Sequence, residues 1–240
     1  DGIPFVAYRN TAQMAAPILH NVLIAMTQGK LPPRGFNYAN LHLLPKKQTH
    51  LIDDTRPISV TNTDNRIISK TLIDTILPQV KQALHKAQKG SLSGYQGYDH
   101  IHDITTAFYT AHEDENSPNY YNLYVDTKKA FDSIHHQFLV KAIQRLGLPQ
   151  WVVNVVKCMI HEVAVTPIFG GYTGVWIKIT RGVKQGCPAS PLFFAIVMDP
   201  LITRLSAVPG VTIYAYVDDI AIGTYNYKSF KKCMNIIDDF

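Results

Sequence analysis

The chain has 240 residues, 46% of them hydrophobic and 17% charged, which is enough for one large domain or two intertwined subdomains and excludes a peptide or a disulfide-stapled miniprotein. Its longest unbroken apolar run, Leu192 to Met198, is far short of the ~20 residues needed to cross a bilayer, so no membrane partner is expected. The net charge of +5 is concentrated: residues 30 to 89 carry ten Lys and Arg against four Asp and Glu, a local excess that suits either a phosphate-rich partner or a solvated surface.

Apolar residues at spacings of three and four (Ala15, Ile18, Leu19, Val22, Leu23, Met26) predict a helix over 11–28, stopped by Gly29. Leu41, Leu43 and Pro45 form a short strand running into Lys46 and Lys47. Ile68, Leu72, Ile76 and Val80 set out a second helix after Arg56-Pro57-Ile58-Ser59 and Asn65-Arg66. The stretch 88–99, with Gly90, Gly94 and Gly97, reads as a loop, and a helix over about 100–112 follows.

Tyr120 to Asp126 alternates as a strand with Tyr121, Leu123 and Val125 on one face, and the aspartate ends it. Ser133 is the expected N-cap of a helix whose core face is Ile134, Phe138, Ala142 and Leu146, closed by Gly147 and Pro149. Another helix carries Trp151, Val155, Met159 and Ile160. Segments 163–169 and 173–180 form a hairpin around Gly170-Gly171, and 189–206 is apolar all round, as a buried helix should be. Val211 to Val217 and Ile220 to Ile222 make a hairpin with Asp218-Asp219 at its turn.

Two adjacent carboxylates in a hairpin turn are ordinary turn chemistry on their own. Asp126 changes the reading, because it also ends an apolar strand; if the strands are neighbours, three acids converge. Like charges ~4 Å apart repel by about 4 kcal/mol per pair at an effective dielectric of 20, so such a cluster binds protons or recruits a cation. Oxygen donors without His or Cys select a hard ion such as Mg²⁺, and two such ions serve phosphoryl transfer. Cys158, Cys187 and Cys233 are odd in number and lack a C-x-x-C pair, which fits a reducing, intracellular compartment rather than a disulfide framework or a zinc site. His100, His102, His135 and His136 read as surface positions, not metal ligands.

Several ordered motifs together resemble the reverse transcriptases of non-LTR (LINE-type) retrotransposons. They are Asp1-Gly2-Ile3-Pro4, Leu44-Pro45-Lys46-Lys47, Arg56-Pro57-Ile58-Ser59, Tyr124-Val125-Asp126 leading to Ala130-Phe131-Asp132-Ser133, Arg181-Gly182-Val183-Lys184-Gln185-Gly186-Cys187-Pro188, and Tyr216-Val217-Asp218-Asp219. The resemblance implies an α/β (α+β) right-hand polymerase fold with an antiparallel palm sheet and packed helices. Fingers would cover about 1–97 and 134–180, and palm 98–133 and 181–240. The chain starts without Met and ends inside an amphipathic pattern, so a segment of a longer protein is expected, with the thumb absent and weak activity by itself.

The same resemblance implies RNA-directed DNA synthesis with an RNA template, a DNA primer and dNTP as partners, and nuclear action. Asp126, Asp218 and Asp219 would be the catalytic acids, holding two Mg²⁺ (or Mn²⁺) ions with the Thr127 carbonyl. Phe131 would be the steric gate under the incoming sugar. Gln185 and Gly186 would line the nucleotide pocket, Arg56 and Arg66 would hold the triphosphate, and Lys46, Lys47 and Arg181 would touch nucleic acid. Asp132 is assigned to local capping. The chain departs from the family pattern at Val217 (commonly Ala), Asp53-Asp54 (commonly Asn-Trp), Ala189 (usually Leu) and Tyr95 (often Arg). A catalytically silent nucleic-acid-binding module and, less favoured by Phe131, an RNA-dependent RNA polymerase are the alternatives.

Overall fold

The computed structural model describes residues 2–46, 51–90, 97–112, 119–127 and 129–240; Lys47 and Tyr95 lie outside the described residues. The chain begins with α1 (Phe5–Asn10), α2 (Ala12–Thr27), β1 (Tyr38–Pro45), β2 (Thr55–Thr61) and α3 (Thr63–Ala83). Next come α4 (Gly97–His112), β3 (Tyr121–Val125), α5 (Ala130–Ser133), α6 (His136–Arg145) and α7 (Gln150–Met159). The remainder is β4 (Ala164–Phe169), β5 (Tyr172–Thr173), β6 (Ile177–Lys178), α8 (Ser190–Ser206), β7 (Val211–Tyr216), β8 (Asp219–Thr224) and α9 (Tyr227–Asp238). Two compact units result, Asp1–Gln79 with Phe131–Ser190, and Val80–Ala130 with Pro191–Phe240.

The first unit holds a mixed sheet in which β1 pairs antiparallel with β2 and parallel with β4, whose other partners are β5 and β6. Helix α7 is its most deeply buried helix: Val152, Val153, Val155, Val156, Cys158 and Met159 are all inside. Each such aliphatic side chain contributes about 1.5–3 kcal/mol when fully buried. Thr61 Oγ1 is buried in this interior without a hydrogen-bond partner, whereas the buried asparagines are paired, as burial requires. Asn37 donates its amide to the Cys158 and His161 carbonyls at 2.7 Å each, satisfying the C-terminal end of α7, and Asn65 donates to Asn37 Oδ1 at 3.2 Å.

The second unit is built on an antiparallel sheet in the order β3-β8-β7. Helix α8 supplies the core with Leu192 through Met198, all buried, followed by Leu201, Ile202 and Leu205. Asn226 caps α9, its side chain accepting from the Lys228 and Ser229 amides. The three cysteines are buried and free.

Two expectations about local structure are corrected. Ser133 does not cap the helix at 136; it closes the short α5, and the residue before α6 is His135, which makes no side-chain cap bond. Of the expected core face, Ile134 and Ala142 are buried and Leu146 is half-buried, but Phe138 is 37% exposed, and Leu139 and Ile143 are buried in its stead. His100 is not a surface position. It is 6% exposed, with Nε2 3.2 Å from both the Ala87 and Ala215 carbonyls.

Candidate active site

In the second unit, β3 pairs with β8 so that Val125 opposes Ile220, and β7 pairs with β8 so that Tyr216 opposes Asp219. Extending the first register by one residue puts Asp126 opposite Asp219. The two-residue turn Val217-Asp218 joins the strands, so Asp126, Asp218 and Asp219 share one end of the sheet. Asp126 and Asp219 also line one cavity of about 340 Å³, with Tyr124, Tyr216, Tyr214 and His100 among its walls.

Burial, followed by the charges of Asp218 and Asp126, raises the Asp219 carboxyl above the ordinary carboxylate range. Among the described residues, no lysine, arginine or histidine forms an ion pair with any of the three acids. Their donors are oxygens only, the set that suits a hard divalent cation. The carboxylates do not form a closed cage, however: among the described residues no group of three His, Cys, Asp or Glu side chains is close enough to hold a metal ion.

Three other motifs, all in the first unit, are tied together through backbone hydrogen bonds. The Val183 amide donates to the Phe131 carbonyl at 2.8 Å, Gly182 to Ile134 at 2.6 Å, and Ser59 to Gln185 at 2.6 Å. Gly186 takes φ +110°, and a Cβ on it would lie 2.6 Å from the Ser59 carbonyl oxygen, so only glycine lets the two segments approach. Lys184 donates Nζ to the Asn37 carbonyl at 3.1 Å, and burial pushes its ammonium pKa down. Cys187 reaches Ser69 Oγ at 3.6 Å.

A cavity of about 370 Å³ opens in this unit, lined by Pro57, Ser59, Asp132, Arg181, Lys184 and Gln185 among others. Pockets of 300 Å³ upward, in round numbers, take a small-molecule ligand. Arg181 and Gln185 thus line one cavity, whereas Gly186 is exposed beside Ser59. Arg56 and Lys46 are exposed on β2 and just past β1, and Arg66 is exposed on α3. Phe131 is half-buried in α5; Thr127 follows Asp126, half-buried.

Sequence reasoning missed two residues beside the acid turn. Gln88, 1% exposed in a stretch expected to be a loop, accepts from the Val217 amide, and His100 bridges the Ala87 and Ala215 carbonyls. The only available signal was that both polar side chains sit close to glycines and apolar residues, which is too common to single them out.

The pattern of the family described as "Reverse transcriptase (RNA-dependent DNA polymerase)" matches residues 44–240. The "Transposon TX1 uncharacterized 149 kDa protein" of Xenopus laevis is 26% identical over 234 residues, covering 92% of this chain and 18% of that protein. A Pol polyprotein from the type-1 retrotransposable element R2 of Popillia japonica is 29% identical, covering 82% and 31% respectively. The chain therefore spans less than a third of the length of these two relatives. Among solved structures, apo telomerase of Candida tropicalis truncated from its C-terminal domain superposes with a TM-score of 0.64 at 16% identity, covering 91% of this chain and 50% of that one. That likeness shows the fold, the right-hand polymerase arrangement.

Proposed function

The chain belongs to the reverse transcriptase (RNA-dependent DNA polymerase) family, and on that basis we propose that it carries the centre of RNA-templated DNA synthesis, adding deoxynucleotides to a primer 3′-hydroxyl. The observation that carries this reading is the pairing of β3, β8 and β7, which sets Asp126 beside the Asp218-Asp219 turn at one end of a sheet. In the reaction the primer 3′-oxygen forms a bond to the α-phosphorus of the triphosphate, the bond to the β-phosphate oxygen breaks, and pyrophosphate leaves as the hydroxyl proton is lost.

Asp126, Asp218 and Asp219, with the Thr127 carbonyl, would hold Mg²⁺ ions, which when bound activate the 3′-hydroxyl and stabilise the leaving pyrophosphate. The protein's own share is positioning. Strand pairing holds the backbones that carry Asp126 and Asp219 at one end of the sheet, so only side-chain adjustment is left to draw the carboxylates together. In the first unit, the Phe131 ring would select against a 2′-hydroxyl, Gln185 and Gly186 would line the nucleotide pocket, and the Arg56 and Arg66 guanidinium forks would grip the triphosphate. Lys46, Lys47 and Arg181 would touch the nucleic-acid backbone. In this reading the first unit corresponds to the expected fingers (1–97 and 134–180) and the second to the expected palm (98–133 and 181–240), except that 131–133 and 181–190 fall in the first unit and 80–97 in the second. We place the activity in the nucleus; among the described residues no helix is long and apolar enough to cross a membrane.

Primer extension by the full-length protein on an RNA template tests the reading. Asp126→Asn and Asp218→Asn should each lower incorporation by about 100-fold or more. Extension at the wild-type rate by either variant rejects the site.

A further inference from the structure

We propose that Gln88 is a positioning residue for the acid turn, and that its side-chain amide holds the Val217 peptide so that Asp218 and Asp219 keep their places. The inference deepens the polymerase reading above and rests on it. Val217 is the first residue of the two-residue turn and takes φ +58°. The left-handed region disfavours any residue with a Cβ, and a β-branched one most, so this turn does not hold its shape by local preference.

Gln88 supplies what local preference lacks. Its Oε1 accepts from the Val217 amide at 3.0 Å, and its Nε2 donates to the Val217 carbonyl at 3.3 Å, so one side chain grips both polar groups of the strained residue. The same Oε1 accepts from the Gly90 amide at 2.9 Å, which fixes the orientation of the glutamine amide. The clamp is itself anchored, because Lys89 donates to the Ala215 carbonyl at 2.9 Å and Ala215 to the Ala87 carbonyl at 3.1 Å, laying residues 87–89 alongside β7. Gly90 leaves room for it: a Cβ there would collide with the Val217 backbone nitrogen and lie 2.6 Å from Val217 Cγ2. Gln88 touches no substrate in this account. It acts through the backbone of the residue that precedes the two acids.

Removing the clamp frees the turn to relax, and misplacing a reacting group by about 1 Å costs roughly 100-fold in rate. Gln88→Leu should therefore lower kcat for primer extension by about 10- to 100-fold while KM for dNTP stays within about twofold. Gln88→Glu keeps the acceptor and loses the donor, and should fall between Gln88→Leu and wild type. The discriminating measurement is a cycle with Val217→Gly: glycine takes φ +58° freely, so Gln88→Leu should cost several-fold less in that background. An equal loss in both backgrounds overturns the proposal, as does wild-type kcat for Gln88→Leu.

Hydrogen exchange at the Val217 amide reads the clamp without substrate, metal or turnover. Gln88→Leu should speed exchange there by about 10-fold or more and leave the Ile213 and Ile222 amides unchanged, with Gln88→Glu remaining protected. Unchanged exchange at Val217 also overturns it. If the wild-type protein extends no primer, the polymerase reading fails, and the exchange result alone decides whether Gln88 holds the turn.

Discussion

Asp126 stands opposite Asp219 on neighbouring strands, one step beyond the pairing of Val125 with Ile220. Burial comes first, and the charges of Asp218 and Asp126 come next, in raising the Asp219 carboxyl. A carboxyl whose pKa is higher in the folded state binds its proton more tightly there, so its contribution to stability is complete below the unfolded value near ~4 and is lost as pH rises through the raised folded value. Asp219→Asn should therefore raise Tm at pH 7, by only roughly 1 °C because the carboxyl is only partly desolvated and still solvent-screened, with the gain shrinking toward pH 4. Thermal melts across that range check it; an equal or growing gain in acid contradicts the coupling.

A charge conflict at neutral pH also predicts a response to divalent cations. Mg²⁺ should raise the wild-type Tm more than an equal ionic strength of NaCl does, and Asp126→Asn should remove most of that difference. Parallel melts in the two salts would show it. Identical shifts for wild type and variant would dissociate Asp126 from any metal.

Phe131 is tethered, since its carbonyl accepts from the Val183 amide at 2.8 Å and so connects α5 to the segment that carries Gln185. Truncating the ring leaves this backbone bond in place. Phe131→Ala should therefore keep α5 joined to that segment and raise the ratio of ribonucleotide to deoxynucleotide incorporation by about 10-fold or more, since it removes a steric exclusion. Competition between the two nucleotides in primer extension is the measurement; an unchanged ratio removes the gate assignment.

The parts of this molecule that were legible in the sequence are those with a period or a spacing. The alternation of Tyr121, Leu123 and Val125 and the apolar stretch on either side of Asp218-Asp219 announce strands, and an aspartate at the end of each announces where they meet. The apolar run 192–198 announces a buried helix, and α8 is one. What the sequence could not show depends on contacts that leave no periodic trace. Gln88 works through hydrogen bonds to a residue 129 positions away, and His100 is buried because two backbone carbonyls receive its ring nitrogen. The buried face of α6 keeps Ala142 but takes Leu139 and Ile143 instead of Phe138, for a related reason. Ser133 has the composition of a cap, but the Phe131 and Ile134 carbonyls are already engaged by Val183 and Gly182, and this pairing shifts the helix start to His136.

That shift can be tested by stability. Leu139 is fully buried, whereas Phe138 beside it is 37% exposed. Leu139→Ala should cost about 2–5 kcal/mol, and Phe138→Ala, despite removing the larger side chain, clearly less. Urea unfolding of both variants would reveal the order, and the reverse order would restore the helix face read from the sequence.

Gly186 and Gly147 provide the last comparison, because both take positive φ, +110° and +71°, in different surroundings. At Gly147 nothing lies within 4 Å of where a Cβ would stand, so Gly147→Ala should cost about 1 kcal/mol from backbone conformation alone. At Gly186 the added carbon would meet the Ser59 carbonyl oxygen at 2.6 Å, a backbone atom in a strand that cannot step aside as a flexible side chain would. Gly186→Ala must break the Ser59-to-Gln185 hydrogen bond to fit, adding about 1 kcal/mol or more to the conformational cost. Because Gln185 moves with it, KM for dNTP should rise by more than kcat falls, whereas Gly147→Ala leaves both within about twofold. Equal unfolding midpoints for the two variants, or a Gly186→Ala enzyme with unaltered KM, would show that the approach to Ser59 does not shape the proposed nucleotide pocket.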